Sequence, residues 1–545
     1  LEDCLRTELL DILCCPSCRS ALECDVFAPD GDAVLEGLLI CTNCARGYPV
    51  VDGIPHMLAN ALAEVPGFAT RHRKAIERRT IPPSADEIRR FERLHRRTAK
   101  AFGYEWNRYK VTSPAEDLLT LAFLTGLDPT LYRSLEWCDV FTQEPSPHDV
   151  DRIDTSFLRG KRVLEIGCGM GKYVRTVGDH GGIAVGLDLS DSLDRAKQEH
   201  GRRNDLHWVR GNILEHPFKE KTFDFVYSVG VLHHTPDCHR AFLNSASLVA
   251  DGGHLAVWLY PTERMTTPFA RRVHWVQDSL LRPITSRLPH PVLYRFCRVL
   301  GLWTFKRDEA SRKGRSGLAR FYSLFAVGAH SDPEIAAFLN FDWYSPQYRS
   351  YHSEDELMGW FREAHYADVR VLPQRTSGIA RRLPDDEPLP PPSLPSIHAN
   401  LEVPGDEPVG AGERVRVGGW AVEASGRSPI VCVYLNDRLV ARTGCFDPRL
   451  DVKAAFPDLE HALYTGFHVS VRIPPRLQQI RLRVEVSTDD ASDVVTSFER
   501  NLKVTSSGWR LPLARRIAKI TPPFVARRLA KSRRVRRWVG AQARD

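Results

Sequence analysis

Nowhere in these 545 residues does an apolar run approach the roughly 18 residues that a helix needs to span a bilayer, which removes helical membrane spans from the readings. The first residues also lack the charged-then-apolar pattern of a secretory leader, and the expected location is the cytoplasm. General basicity is missing too. The net charge is +7, yet the residues from Ser506 onward hold 12 Lys or Arg against Asp545 alone, a local +11 that leaves the preceding 505 residues at −4. A body coated with cations for nucleic acid is thereby excluded. Cysteine is sparse after Cys44, since seven of the 13 fall at or before it. In a cytoplasmic chain such crowding points to metal rather than disulfides. What the chain has is length, too much for one hydrophobic core; at about 100 to 200 residues per domain, three or four units are expected.

The cysteine-rich stretch, residues 9 to 58, reads LLDILCCPSCRSALECDVFAPDGDAVLEGLLICTNCARGYPVVDGIPHML. Cys15 with Cys18 and Cys41 with Cys44 form two CxxC pairs separated by 22 residues. Each pair sets two thiolates on a tight knuckle, and two knuckles on adjacent hairpins complete a closed tetrahedral four-sulfur zinc site with no position for water. Such a site supplies folding energy to a segment of about 50 residues and performs no catalysis. The other reading keeps these cysteines as small buried apolar residues without metal. Cys14 and Cys24 are spare. LLDILCCPSC, CTNC and YPVVDGIPHML resemble the small zinc-ribbon family that activates tRNA and ribosomal-factor methyltransferases and also occurs fused to bacterial methyltransferases. The resemblance implies a partner or scaffold module and no substrate.

A second pattern begins after Arg162: VLEI as a strand, GCGMG as a glycine turn, KYVRTVGDH as a helix. Glycine tolerates positive φ and lets ligand atoms approach the main chain, which suits nucleotide-like ligands. The dinucleotide fingerprint GxGxxG lacks its last glycine, because Lys172 stands there, and a nicotinamide cofactor loses its main support. GIAVGLDLS follows as a second strand ending at Asp188, 17 residues past Gly171 and near the spacing at which a carboxylate grips a ribose diol. LHWVRGNIL is a third strand leading to Gly211, Asn212 and Ile213. TFDFVYSVGVLHHTPD is a fourth, from Phe223 to Val229, running into His233, His234 and Asp237. AFLNSASLVADGGHLAVWLY adds a helix, a turn at Gly252 and Gly253, and a fifth strand. This alternation predicts a parallel sheet with ligands at the carboxyl ends of its strands.

VLEIGCGMG, VGLDLS, GNI, FDFVYSVGVLHHTPD and DGGHLAVWLY together resemble the class I S-adenosylmethionine (SAM)-dependent methyltransferases, over about residues 100 to 380. The resemblance implies that Glu165, Gly167, Gly169 and Gly171 border the methionine end of the cofactor and that Asp188, with Leu189 beside it, takes the ribose hydroxyls. Asn212 and Ile213 would flank adenine, and Ser228 would lie where the fourth strand meets the ligand. Many members carry Asp where this chain has Asn212. FGYEWNRYK, 102 to 110, resembles a segment that folds over the cofactor in one subgroup; Tyr104 and Trp106 there either pack on the sulfonium by cation–π attraction or form aromatic core.

A sulfonium methyl is already activated, so the protein must exclude water and hold an acceptor in line at about 3 to 3.5 Å. An oxygen or nitrogen nucleophile gains from losing its proton, a task suited to imidazole. His233 and His234 are the candidates for that base, without a choice between them; alternatively they orient the loop or line the pocket. No catalytic metal is required. Residues 261–350 form an unusually long insertion after the fifth strand, expected to build the acceptor pocket. Its Arg271, Arg272, Lys306, Arg307, Lys313 and Arg315 fit a phosphorylated, sugar-nucleotide or lipid-linked acceptor, or a solvated helical face. YSPQYRSYHSEDELMGWFREAHYADVRVL reads as a helix plus a strand closing the sheet, and Tyr348 and His352 face the site in similar enzymes.

RRLPDDEPLPPPSLP is a stiff proline-rich linker. Beyond it, RVRVGGWAV, IVCVYLNDRLVA, GFHVSVRI and IRLRVEV alternate apolar and polar positions between turn signals, which predicts a β-sandwich. GGWAV, DPRLDVKAAFP and TGFHVSV resemble a β-sandwich module seen beside glycosyltransferases and other cell-surface glycan enzymes; a glycan acceptor, a glycan-assembly partner or a spacer role would follow. The tail mixes arginine clusters with Trp509, Leu513, Ile517, Phe524, Val525, Leu529, Val535 and Trp538. Basic amphipathic segments of this kind dock on anionic membrane surfaces, each cation contributing about 1 kcal/mol; nucleic acid and a solubilising tail are the alternatives.

The expected architecture is therefore multidomain: a zinc ribbon (1–60), a helical connector (61–100), a Rossmann-like seven-stranded α/β methyltransferase domain (101–380), a linker (381–396), a β-sandwich (397–505) and a basic amphipathic tail (506–545). The expected function is SAM-dependent methyl transfer to a hydroxyl of a sugar or related metabolite in surface-glycan biosynthesis, at the inner face of the membrane, with a structural zinc. Its rivals are an RNA or protein methyltransferase and a non-enzymatic scaffold of a glycan-assembly complex. From Ser228 the chain reads SVGVLHH rather than the Asn-Pro-Pro-Tyr or Asp-Pro-Pro-Tyr loop of base and glutamine amino-group methylation, which counts against the first rival.

Overall fold

The computed structural model describes residues 5–108 apart from 31–32, 113–126, 153–262 apart from 202, 268–312, 324–325, 333–390 apart from 373–375, and 397–505 apart from 405–407, 411, 424–428, 446, 457–458, 460–461, 463–464, 475–478 and 488–493. Two units are present, residues 1–391 and 392–545. No helix among the described residues is long and apolar enough to cross a membrane.

The first unit begins with a small antiparallel sheet of β1 (Leu5–Arg6), β2 (Leu22–Asp30), β3 (Ala33–Cys41), β4 (Gly47–Val51) and β5 (Ile54–Pro55), in which β3 pairs with β1, β2 and β4. So short a segment buries too little surface to be secure alone. Leu9, Leu13, Tyr48, Val50 and Met57 share one buried cluster with Ile166, Leu187 and Val209 of the sheet that follows and with Phe218, while Leu38 and Ile40 form a smaller cluster with Phe68.

That sheet comprises β6 (Arg162–Ile166), β7 (Ile183–Asp188), β8 (Leu206–Arg210), β9 (Phe223–Val229), β10 (Val249–Trp258), β11 (Tyr366–Val371) and β12 (Ser377–Arg382), in the order β11-β12-β10-β9-β6-β7-β8. The pairs from β10 to β8 are parallel, and β12 runs antiparallel between β10 and β11. Strands buried on both faces require continuous apolar runs, and Val163, Leu164 and Ile166 of β6 and Phe225, Val226 and Tyr227 of β9 supply them. From β6 the chain winds one way through β7 and β8, then returns to place β9 on the other flank, so a crevice opens where the winding reverses. The β8 edge is covered by the N-terminal module. Beyond β5, His56 bridges Arg210 in parallel and the Met57 N–H donates to the Arg210 carbonyl at 2.7 Å. The Cys14 N–H donates to the Pro217 carbonyl at 2.8 Å, and the Lys219 N–H to that of Ile12 at 2.9 Å.

Helix α1 (Ala85–Trp106) opens with a capping box between Ser84 and Glu87, and α2 (Pro114–Thr125) with another between Ser113 and Glu116. The expected connector, 61–100, thus does not end at Lys100: α1 continues unbroken to Trp106 across the carboxyl ends of the central strands, with Gly103 against Ser190 and Asp191. Helices α3 (Lys172–Asp179), α4 (Ser192–His200) and α5 (Cys238–Ser247) connect the parallel strands. In the insertion, α6 (His290–Arg312) and α7 (Pro333–Tyr344) pack through Leu293, Cys297, Leu300, Phe341 and Tyr344. β12 carries through Arg382, so the first two residues of the expected linker belong to the sheet; 391–396 lie outside the described residues.

The second unit holds two sheets. β13 (Ile397–Val403), β15 (Arg414–Glu423) and β18 (Gly466–Arg472) form one; β14 (Val409–Gly410), β16 (Ile430–Leu435), β17 (Arg438–Gly444), β19 (Gln479–Ser487) and β20 (Val494–Thr505) form the other. Val417 and Phe467 of the first share a buried cluster with Val431 and Val484 of the second. The tail, 506–545, lies outside the described residues.

Candidate active site

The turn after β6 requires glycine for two reasons. Gly167, Gly169 and Gly171 have φ of 77°, 53° and 77°, which side chains resist. A Cβ at these positions would also lie 2.4 Å from Val231, 2.7 Å from the Trp106 indole and 2.3 Å from Trp208, respectively. The space vacated by the missing side chains is therefore taken by the protein's own residues, which close in on the turn. The Gly169 N–H donates to Asp188 Oδ2 at 2.8 Å, while Asp188 Oδ1 accepts from the Ser190 N–H and hydroxyl, each at 2.7 Å. A carboxylate offers about four acceptor positions, so three fixed donors orient Asp188 and leave one unused.

Beside it opens a cleft of about 870 Å³, counted to its mouth. Its floor includes Gly167, Asp188, Leu189, Asn212 and Ile213; α1 roofs it with His95, Thr98, Phe102 and Trp106; His234 and Asp342 stand in its walls. Trp106, Gly167, Asp188, Leu189, Asn212, Ile213 and His234, all singled out from sequence, thus come together. Asn212 Oδ1 accepts from the Leu214 N–H at 3.1 Å, and its amide nitrogen lies 3.3 Å from His95 Nε2. Burial lowers His95 to about 4, so the pair is neutral.

Eight other expected residues do not line the cleft. The Tyr104 ring lies 5.6 Å from His290 and 5.5 Å from Phe341, within the aromatic packing of the insertion, because it projects from a different side of α1 than Trp106. Gly169 and Gly171 act through the turn just described. Glu165 is buried, accepts from the Tyr227 hydroxyl at 3.2 Å and has its pKa pushed well up by burial. The Ser228 hydroxyl reaches the Ile166 carbonyl at 3.4 Å. His233 stacks on Tyr260 with ring centroids 3.9 Å apart. Leu232–His234 is a 3₁₀ turn, in which neighbouring side chains diverge by about 120°, and although the two rings lie 4.3 Å apart only His234 lines the cleft. Tyr348 contributes its carbonyl rather than its ring, and His352 is held by Ser350 and Glu356 at 2.7 and 3.0 Å.

His234 Nδ1 lies 3.0 Å from the Tyr348 carbonyl oxygen. A carbonyl only accepts, so Nδ1 carries the hydrogen and Nε2 holds a lone pair. Nε2 is buried with no partner, and burial lowers the ring to about 3. Opposite, Asp342 Oδ2 accepts from the Tyr260 hydroxyl at 2.9 Å, and burial raises its pKa. No Lys or Arg lines the cleft among the described residues. Of the insertion's expected acceptor-binding cations, only Arg272 and Lys306 have described side chains, and both are exposed. Sequence reasoning passed over His95, Thr98, Phe102 and Asp342. The first three recur at helical spacing, the available signal; Asp342 had none.

The thiols of Cys15, Cys18, Cys41 and Cys44 all lie within 4.8 Å of one another, with Cys15 to Cys44 at 3.6 Å and Cys18 to Cys41 at 3.3 Å. Tetrahedral zinc with Zn–S bonds of about 2.3 Å requires sulfurs about 3.8 Å apart, which this set approaches without rearrangement. Cys14 and Cys24 are outside the group; Cys14 is buried where its main chain meets Pro217.

Residues 164–257 match the family described as methyltransferase domain, and residues 6–53 match the Trm112p-like protein family. Among curated proteins, the chain is 34% identical over 100 residues to the ubiquinone biosynthesis O-methyltransferase of Coxiella burnetii, covering 18% of this chain and 43% of that protein. It is 27% identical over 193 residues to phosphoethanolamine N-methyltransferase 2 of Caenorhabditis elegans, covering 31% and 44%. It thus spans less than half the length of these relatives. Among solved structures, an S-adenosylmethionine-dependent methyltransferase from Mesorhizobium loti shares 30% identity with a TM-score of 0.18, covering 18% of this chain and 47% of that one. A complex between the Haloferax volcanii Trm112 methyltransferase activator and a methyltransferase gives 25% and 0.19, covering 21% and 51%. The chain carries a methyltransferase domain of class I type and a Trm112-like module with a four-cysteine cluster.

Proposed function

We propose that this protein is a SAM-dependent methyltransferase that methylates a hydroxyl of an uncharged acceptor, with a structural zinc in its N-terminal module. The observation that carries the reading is the pairing, in one cleft, of Asp188 beside the glycine turn with the unpartnered Nε2 of His234. Asp188 has an acceptor position left for a ribose hydroxyl, Leu189, Asn212 and Ile213 offer a flat pocket for adenine, and Trp106 closes over the turn. When bound there, SAM supplies an electrophilic methyl group. His234 then accepts the acceptor's proton at Nε2, steadied through Nδ1 by Tyr348. An imidazolium is costly in the empty buried cleft, but here it forms as the site loses the positive charge the cofactor brought, so the buried charge does not grow. Asp342 orients the acceptor hydroxyl, and α1 excludes water.

Among the described residues no cation lines the cleft, which favours a neutral reacting end, such as a sugar hydroxyl. The two packed sheets of residues 397–505, read as a β-sandwich of the kind found beside glycan enzymes, favour a surface-glycan precursor. Incubation with methyl-labelled SAM and a cell-envelope extract tests this: label is expected in a saccharide fraction. Label confined to RNA or protein would overturn the acceptor class, and no transfer at all would favour the scaffold reading.

A further inference from the structure

On the side of α1 that faces away from the cleft, five basic side chains converge with a single carboxylate among them. Arg96, Arg97 and Lys100 of α1, with Arg287 and His290 at the entry to α6, line a pocket of about 760 Å³ counted to its mouth. Glu92 is its single acidic residue, and among the described residues none of the five basic groups forms an ion pair. Arg97 Nε is buried and has no hydrogen-bond partner. The Arg287 guanidinium is held by donation to the Pro283 carbonyl. Elsewhere on this unit arginines find carboxylates readily, as half-buried Arg46 does with Glu87 and exposed Arg79 with Glu23 and Asp25. Burial and then the neighbouring Arg287 lower the pKa of Arg97; burial and then Arg97 and Lys100 lower that of His290. Two separate chain segments therefore hold like charges together, an arrangement that is unfavourable empty and favourable around an anion with several oxygens.

We propose that this pocket binds a phosphate monoester or diphosphate, clamping α1 against the Arg287–His290 turn. Since the opposite side of α1 presents His95, Thr98, Phe102 and Trp106 to the cleft, occupancy of the pocket steadies the cleft's roof. The phosphate has two possible sources, a soluble phosphorylated ligand and a lipid headgroup. Ile284 and Val292, 63% and 51% exposed, bracket Arg287 and His290 in the chain and would meet acyl chains beside such a headgroup.

The site does not depend on the methyltransferase reading, so it is tested without SAM. The full chain is titrated with inorganic pyrophosphate by calorimetry, alongside Arg97→Gln/Arg287→Gln and a control, Lys306→Gln, which removes an exposed cation outside the pocket. All three are first shown to unfold at the same temperature. Binding by the wild type and the control, at least about tenfold weaker in the double variant, is expected, since each charge-assisted pair is worth about that factor. Sedimentation with phosphatidylcholine vesicles, with and without phosphatidic acid, identifies the source: retention that needs both phosphatidic acid and the two arginines assigns the lipid headgroup. Absence of arginine-dependent binding to either probe overturns the proposal.

Discussion

The imidazole of His234 hangs from the main chain of Tyr348, its Nδ1 3.0 Å from that carbonyl oxygen. The contact ties the turn after β9 to the far end of the insertion and fixes the tautomer that leaves Nε2 free. His234→Ala is therefore expected to lower kcat by about 10² to 10⁴ while leaving the affinity for S-adenosylhomocysteine unchanged. His233→Ala should act mainly on stability, because that ring stacks on Tyr260. Steady-state kinetics and thermal unfolding of both variants check the assignment; a catalytic loss confined to His233→Ala would reverse it.

Gly169 is expected to tolerate no side chain. Gly169→Ala imposes a φ of 53° on alanine and sets its Cβ 2.7 Å from the Trp106 indole. The combined strain and overlap should cost about 1 to 3 kcal/mol in urea unfolding, with quenching changes in tryptophan fluorescence as Trp106 is displaced. An unchanged midpoint and spectrum would show that the indole does not rest on the turn.

Zinc should matter beyond its own module. Arg19 donates to the His216 and Phe218 carbonyls and Cys14 to that of Pro217, so the ribbon holds the segment that runs on from Asn212 and Ile213 in the cleft floor. One zinc per chain is expected by elemental analysis. Removing it with a chelator, or by Cys15→Ser, should lower the unfolding temperature and weaken S-adenosylhomocysteine binding together. Weakened folding with cofactor affinity intact would separate the two.

Acid should destabilise the protein through buried neutral histidines. Burial lowers His56, His216 and His234 to about 3 in the fold, whereas an unfolded chain protonates them near pH 6.5. The unfolded state thus binds more protons in that window, and stability falls as pH drops from about 6.5 toward 3, by up to about 1.4 kcal/mol per unit for each ring. Above pH 6.5 these three contribute no pH dependence. Urea midpoints at a series of pH values check the slope; a flat profile below pH 6 would contradict it.

Some of this was legible locally. A glycine turn after an apolar strand and an acid at the tip of the next are short-range patterns, and GCGMG and GLDLS pointed to neighbouring parts of one site. Choices between adjacent residues were not legible. Tyr104 and Trp106 sit two positions apart on α1, about 200° around the helix, and only tertiary packing decides which one meets the cleft. His233 and His234 pose the same problem on a 3₁₀ turn. Contacts between distant segments were out of reach as well: His95 with Asn212 and His234 with Tyr348 are 117 and 114 residues apart. The roof role of α1 depends on such pairs, and a helix reads as a connector until its partner is known.

Titration of S-adenosylhomocysteine into the zinc-loaded, folded chain by calorimetry addresses the cleft itself. One molecule should bind per chain, with the heat abolished by Asp188→Ala and retained by His234→Ala. No binding by the wild type, or equal binding by Asp188→Ala, would contradict the assignment of this cleft to the cofactor.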